Sequence, residues 1–438
     1  MKLFLKYRYA TVVLVVLLPR LLWFFFLGGE IPEPVRDQGL YLSLAGRVIA
    51  GEGISYSSEM GFLRSVMPVD PEFRGNWMQD PNYLFGMVPV ETPTASIEPG
   101  YPIILGIIFM LTGPSTGSVY FLNSVFALLG AFSLMVMVRE NWGKKQALIA
   151  AVMWSVYPYY VYYSAYAMTD MIHISLLPVI ALLTLRSVSK VRAGFAAGIS
   201  TGMLFLVRST ALFLLPVQIV WLFVRKRWKA AFAVLIGFVL CCIPWVVRNQ
   251  AALGSPVLMP TKGSLNLWMR NSPSMLAVEG INIPDFIENG INRRNLLEYP
   301  SMEGLNTELE RSHLIMARAL QFILSNPGLF AYLAIARAYH FLSPVGGTLN
   351  NAVAILTGIL IYFPMLLIAF REAFRRKKDR RIVFLVSIFL LYFVLHALAH
   401  GGVRYRLPVD MILMTLSSLF IGRKMGWSEK GTGGGIEQ

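Results

Sequence analysis

Apolar runs recur along most of this chain, separated by short polar or basic clusters. A helix needs roughly 17–25 apolar residues to span a bilayer. Runs at 9–27, 118–138, 147–162, 170–185, 194–207, 210–224, 230–247, 351–370, 383–399 and 408–422 lie near that length. The pattern predicts an all-α integral membrane protein of about ten transmembrane helices. A further run, Tyr101–Gly113, is too short to span comfortably. The first run follows Lys2, Lys6 and Arg8 and lacks a small-x-small cleavage site, so it reads as an uncleaved first helix.

The basic residues decide what the short run does. If 101–113 crossed, Arg139, Lys144, Lys145, Arg186, Lys190 and Arg192 would all face outside. If it lies in the interface, the clusters Arg139–Lys145, Arg186–Arg192, Arg225–Lys229, Arg371–Arg381 and Arg423–Lys424 all fall inside, as Lys and Arg in short loops prefer. The second arrangement makes 101–113 an outer juxtamembrane helix and leaves both termini cytoplasmic. Two long segments then lie outside, 28–117 and 249–350.

The stretch Glu30–Glu98 carries ten acids against four bases, which suits an outer loop of a basic protein. Within it, Leu40, Tyr41, Leu44, Ala45 and Val48 recur at helical spacing up to Gly51-Glu52-Gly53, predicting an amphipathic helix on the membrane. Residues 65–97 have no clear period and read as a loop. In the second segment, Glu308–Leu324 is helical, and the short apolar run 328–342, with Arg337 and His340, belongs at the interface. The resulting division is a transmembrane catalytic module at 1–248, an outer-face loop region with interfacial helices at 249–350, C-terminal transmembrane helices at 351–425, and a disordered Gly-rich tail at 426–438.

Composition agrees: 56% of residues are hydrophobic and 14% charged, against roughly 25% charged in soluble domains. The net charge of +15 comes from clusters at helix ends, which fit anionic lipid surfaces rather than nucleic acid. Cys241 and Cys242 are adjacent inside one apolar run and read as packing residues.

Six stretches then succeed one another at outer helix ends: Val35–Ala45, Glu98-Pro99-Gly100-Tyr101-Pro102, Tyr162–Asp170, Arg208-Ser209-Thr210, Pro244–Asn249 and Arg404-Tyr405-Arg406-Leu407-Pro408. In this order the chain resembles the GT-C glycosyltransferases over about residues 1–425. The similarity is to the branch holding the protein O-mannosyltransferases and the lipid A aminoarabinose transferase. The resemblance implies a sugar donor on a polyprenyl phosphate and transfer on the outer, periplasmic face of an inner membrane, with inversion. It also implies a lipid, glycan or protein acceptor, with membrane lipids as surroundings. Asp37 matches the family's catalytic base and Asp170 its second acid, near the donor phosphate or a metal. Many relatives carry two acids in the first-loop motif, whereas Gln38 follows Asp37 here. No cofactor is therefore assigned, and a divalent cation stays open.

The chemistry stands without the family. Displacement at a sugar carbon needs a base for the acceptor proton, which a carboxylate supplies. The departing phosphate needs nearby cations; Arg404 and Arg406 suit this, with Arg208 and Arg248 as second choices. Tyr41 and Glu98 complete the substrate-binding candidates, Glu98 being equally able to fix a turn before Pro99. Asp170 could instead cap its helix, and Arg404 and Arg406 could anchor a helix end at lipid headgroups. His396 and His400 share a helix face and point to the cavity rather than to zinc, since no third ligand is evident. The Tyr-rich stretch 157–166 reads as an interfacial aromatic belt. A transporter or flippase would hold substrate groups near the midplane, whereas here they gather at outer ends; an inactive envelope scaffold is the remaining alternative.

Overall fold

The computed structural model describes residues 8–30, 36–55, 93–271, 301–345 and 352–427. Within them the chain is all-helical apart from one antiparallel bridge between Ser55 and Pro93. Most of the expected loop at 65–97 and the tail 428–438 lie outside the described residues. In chain order the helices are α1 (Arg8–Phe26), α2 (Arg36–Ile49), α3 (Gly100–Thr112), α4 (Thr116–Asn141), α5 (Lys144–Val156), α6 (Pro158–Tyr163), α7 (Asp170–Ser187) and α8 (Val191–Val207). They continue as α9 (Leu214–Val224), α10 (Trp228–Leu253), α11 (Lys262–Asn271), α12 (Glu308–Ser325), α13 (Pro327–Leu342), α14 (Ala352–Thr357), α15 (Phe363–Arg375), α16 (Arg380–Ala399) and α17 (Val403–Lys424).

By length and composition, six described helices can cross a membrane: Tyr9–Phe26, Thr116–Asn141, Asp170–Ser187, Trp228–Leu253, Ala354–Arg375 and Arg380–Ala399. The pair α12 and α13, bent by 98° at Asn326-Pro327, would make a seventh. The chain is a multi-pass membrane protein, but the expected count of ten is not reached. The shortfall has local causes. Helix α5 has 13 residues and stops at Tyr157-Pro158, because proline supplies no amide to continue it. Helix α8 has 17 residues, and α9 is preceded by a 3₁₀ turn at Ser209–Phe213. Helix α17 carries Arg404, Arg406 and Asp410 in its first two turns.

The charged clusters collect at one end of the bundle. Arg139 donates to Tyr9 at 3.0 Å, Arg381 to the Asn141 carbonyl at 2.7 Å, and Trp142 to Asp379 at 3.1 Å. Arg186 pairs with Glu140, and Arg376 and Arg423 both reach the buried Glu372. At the opposite end Thr116 donates to the Gly29 carbonyl at 2.7 Å. Helix α3 begins and ends on that side: Gly100 touches the Leu206 backbone at the end of α8, and Thr112 donates to Ser118 at the start of α4. A 13-residue helix, about 20 Å long, therefore has both its ends at this end of the bundle.

Two packing features fix the helices around this end. Helix α7 is enclosed by α4, α8 and α17 and buries 83% of its span, matching a helix apolar all round. Helices α8 and α10 meet through a glycine seam. A Cβ on Gly198 would lie 2.0 Å from the Val234 carbonyl oxygen, and one on Gly237 2.3 Å from that of Phe195. Cys241 packs against this seam at Gly202 and Cys242 is buried, as the sequence suggested.

The Tyr-rich stretch is not a surface belt. Tyr157, Tyr159, Tyr160, Tyr163 and Tyr166 are buried. Tyr157 donates to Asp410 at 2.9 Å, Tyr159 to the Ala354 carbonyl at 3.0 Å and Tyr160 to that of Leu407 at 2.8 Å. The break at Pro158 turns these rings inward, and the phenols find partners there because a buried hydroxyl without one is costly. Near the same break Arg20 donates to the Val16 and Ser155 carbonyls.

Candidate active site

Four elements bring carboxylates and cations together at the bundle end away from the basic clusters. Asp37 stands in the first turn of α2, and Asp170 in the first turn of α7. Arg208 caps the C-terminus of α8 in an extended conformation, and Arg404 lies in the first turn of α17. Helix α17 can start there because Gly401 and Gly402 precede it. A Cβ on Gly401 would lie 2.6 Å from the Arg337 backbone, and Gly402 adopts φ 142°.

Arg404 links the two acids. Its Nε lies 2.9 and 3.0 Å from the oxygens of Asp170, and its Nη1 3.8 Å from Asp37. Arg208 Nη1 reaches Asp170 at 3.2 Å and the Thr169 hydroxyl at 3.3 Å. Asp170 is 3% exposed, so its charge is met by guanidinium groups rather than by water. Asp37 is 40% exposed and takes a second partner, Lys262 Nζ, at 3.2 Å. The Lys262 ammonium holds the Asp37 carboxyl well below the ordinary carboxylate range against the upward push of burial, with Arg404 and Arg208 adding to the effect. Burial works to lower Lys262, but Asp37 and Tyr41 outweigh it and raise the ammonium's pKa.

These groups line a cavity of about 360 Å³. Asp37, Tyr41, Glu98, Arg208, Lys262 and Arg404 face it, as do Arg270, His396, His400 and Tyr405. Tyr405 lies under the Arg208 guanidinium at 5.2 Å and meets His400 edge-on at 4.0 Å. Burial, with the Asp37 charge, pushes the Tyr41 phenol upward, so it stays protonated and able to donate. Glu98 has a definite local partner: it accepts from the Ser209 amide at 2.7 Å and ties the start of α3 to the Arg208–Ser209 corner.

Of the residues the sequence singled out, Asp37, Tyr41, Glu98, Arg208 and Arg404 line the cavity and Asp170 stands directly behind two of them. Arg248 and Arg406 do not. Arg248 donates to the Thr94 carbonyl at 2.9 Å and to that of Ile54, and stacks on Trp245. Arg406 is fully buried on the other side of α17, donating to the Phe341 and Ser343 carbonyls at 3.2 and 2.8 Å, over the Tyr362 ring. Residues two apart on a helix point about 200° apart, so Arg404 and Arg406 cannot both face one cavity. Lys262 was missed; its signal was a lone base in Pro260-Thr261-Lys262-Gly263, at the start of a helix.

A divalent cation fits this constellation poorly. Asp37 and Asp170 are already paired with cations, and among the described residues no group of three or more His, Cys, Asp or Glu converges. No step of the proposed chemistry is therefore routed through a metal.

Residues 93–247 match the family described as dolichyl-phosphate-mannose-protein mannosyltransferase. No curated protein matches the sequence. The fold is similar to that of the oligosaccharyltransferase AglB from Archaeoglobus fulgidus, solved with an inhibitory peptide and a dolichol-phosphate: TM-score 0.57, 15% identity, covering 97% of this chain and 51% of that one. The apo form of the Archaeoglobus fulgidus oligosaccharyltransferase gives TM-score 0.58 at 14% identity, over 96% and 51%. ArnT from Cupriavidus metallidurans, bound to undecaprenyl phosphate, matches at TM-score 0.39 and 16% identity over 95% and 78%, too loosely to argue from. The chain spans about half the length of the oligosaccharyltransferase, and at these identities the likeness is one of fold. With the mannosyltransferase family's segment at residues 93–247 inside an AglB-like fold, the resemblance of this chain to the GT-C glycosyltransferases is borne out.

Proposed function

We propose that this chain is a membrane glycosyltransferase that moves a single sugar, hexosyl or pentosyl, from a polyprenyl-phosphate donor to an acceptor at the outer face. The observation that carries this reading is the arrangement of Asp37: an accessible carboxylate at a cavity mouth, faced by Lys262 and Arg404. In the reaction the acceptor hydroxyl attacks the anomeric carbon while Asp37 takes its proton. The bond from that carbon to the phosphate oxygen breaks on the opposite face, and its electron pair leaves with the lipid phosphate. The configuration inverts. Lys262, Arg404 and Arg208 meet the growing charge, for which guanidinium and ammonium groups are suited.

The same cations hold Asp37 in its resting state, and this gives an order to the steps. A donor phosphate competes with Asp37 for Lys262 and Arg404. Once they turn to the phosphate, Asp37 loses the partners that depress its basicity and becomes a better base. Donor binding thus prepares the group that activates the acceptor. Asp170, enclosed by Arg208 and Arg404, keeps these guanidinium groups in place.

The gathering of Lys and Arg at the opposite end supports an inner-membrane protein with both termini cytoplasmic and the cavity outside. A transporter or flippase is disfavoured because the charged groups deeper in the bundle, Arg406 and Asp410, sit 0% exposed and face carbonyls and tyrosines. The test is single-turnover transfer from a purified polyprenyl-phosphate sugar to acceptors of the lipid, glycan and peptide classes. Transfer with inverted configuration supports the reading; donor movement across vesicles without transfer replaces it by the flippase, and neither activity by the scaffold.

A further inference from the structure

Lys262 reaches the cavity as the first residue of α11. Its segment is fastened to the one that leads into α3. The Thr261 amide donates to the Ala95 carbonyl at 3.0 Å and the Lys262 amide to that of Ser96 at 3.1 Å. Glu308, the first residue of α12, sits beneath both strands of chain and is 4% exposed. Its Oε2 accepts from the Thr94 hydroxyl at 2.8 Å, and its Oε1 from the Ala95 amide at 3.2 Å and from the Thr261 hydroxyl. One turn on, Ser312 donates to the Thr261 carbonyl at 3.1 Å. Arg248 closes the far side through the Thr94 carbonyl.

We infer that Glu308 is a positioning residue for the cavity: by clasping residues 94–95 to Thr261 it holds Lys262 opposite Asp37. The carboxylate is otherwise expensive to keep where it is. Burial pushes it up from the ordinary value, and the Thr261 and Thr94 hydroxyls, the Ala95 amide and Arg248 only partly offset that. A helix start needing only a cap is already served at this place by Thr307, whose hydroxyl accepts from the Glu310 amide at 3.2 Å. Glu308 points away from that cap, and its partners come from two segments more than two hundred and about fifty residues away along the chain. A carboxylate is suited to this junction because its two oxygens accept three hydrogen bonds at once, whereas an amide offers a single acceptor oxygen.

The position can be tested without any ligand, on the purified full chain, by competitive acylation of lysines with peptide mapping. Paired with Asp37, the Lys262 ammonium holds its proton and acylates slowly. Glu308→Ala should raise Lys262 labelling about tenfold, the effect of one unit in its pKa, with Lys229 at the opposite end unchanged. Glu308→Gln should raise it by less. An Ala95→Cys/Thr261→Cys disulfide, joining the two segments directly, should restore slow labelling in the Glu308→Ala background. Unchanged Lys262 labelling in folded Glu308→Ala overturns the inference, as does a parallel rise at Lys229, which would mark general loosening. The consequence for function rests on the glycosyltransferase reading and is measured separately by binding of a sugar-free polyprenyl phosphate. There Glu308→Ala and Lys262→Ala should weaken binding alike, with the double variant no weaker than Lys262→Ala. Altered labelling with no phosphate binding in the wild type would uphold the clasp and sink the reading of the cavity.

Discussion

Lys262 Nζ lies 3.2 Å from Asp37 Oδ1, although 225 residues of chain separate them. The pair joins the two outer segments across the cavity and gives the proposed base a resting partner. The two are placed differently: Asp37 by the first turn of its own helix α2, and Lys262 by the junction of residues 94–96 with 261–264. A change in either segment is therefore expected to reach the carboxylate.

Asp37→Asn should lower single-turnover transfer by about 10²–10⁴-fold, the usual contribution of a positioned base. Binding of the polyprenyl phosphate should be kept or tightened, because Lys262 no longer has an anion to give up and Arg404 keeps only Asp170. Calorimetry or fluorescence titration of the purified chain checks the second part. Wild-type transfer by Asp37→Asn, with Asp170→Asn inactive, would move the base to Asp170.

The acid dependence of stability should carry the mark of the same pair. The folded pKa of Asp37 is depressed, so the ion pair's contribution is fully present above the ordinary aspartate value of about 3.9 and is lost as pH falls below it. Thermal unfolding from about pH 6 to about pH 3 should lose slightly less stability in Asp37→Asn than in the wild type. The difference stays small because the carboxylate is 40% exposed and water screens the pair. Equal slopes in the two proteins would show that Lys262 does not engage Asp37 in solution.

Arg404 and Arg406 should separate cleanly. Arg404→Lys keeps a charge near Asp170 but loses the forked geometry, and should cost about 2–4 kcal/mol of transition-state stabilisation with a modest change in thermal stability. Arg406→Ala removes one partner of a buried pair with Asp410 and frees the Phe341 and Ser343 carbonyls. It should destabilise the protein by about 3–5 kcal/mol. A folded, catalytically dead Arg406→Ala would contradict the division of roles.

Orientation can be read in cells. A single cysteine at Glu303 should react with an impermeant thiol reagent from outside, and one at Lys377 should not. Labelling of Lys377→Cys in intact cells, with Glu303→Cys protected, would invert the topology.

Much of this was legible in the chain. The amphipathic period of 40–48 became α2 and carried Asp37 with it, and the short apolar run at 101–113 became the single helix α3. Asp170, Arg208 and Arg404 came together because each sits at a helix end, and helix ends are visible from apolar runs and breakers. What escaped depends on direction rather than position. Adjacent motif residues such as Arg404 and Arg406 face opposite ways around one turn, and the tyrosines at 157–166 turn inward only because Pro158 breaks their helix. Lys262 depends on a contact between distant segments, for which no local period exists. The span count is not confirmed where helices are short, as in α5, α8 and α9, or carry charges in their first turns, as in α17.

The glycine seam between α8 and α10 bears on how a lipid could enter. With Gly198 and Gly237 laid against the opposing backbone, these helices leave no gap the width of an acyl chain between them at the seam and form one continuous plank. That plank carries Arg208 at the end of α8, and near the end of α10 it carries Arg248, which is tied to Thr94. One wall of the cavity is thus braced to the outer segment. On the proposed reading an isoprenoid tail enters along another wall of the cavity, and Ala399, His400 and Tyr405, at the ends of α16 and α17, border it away from this seam.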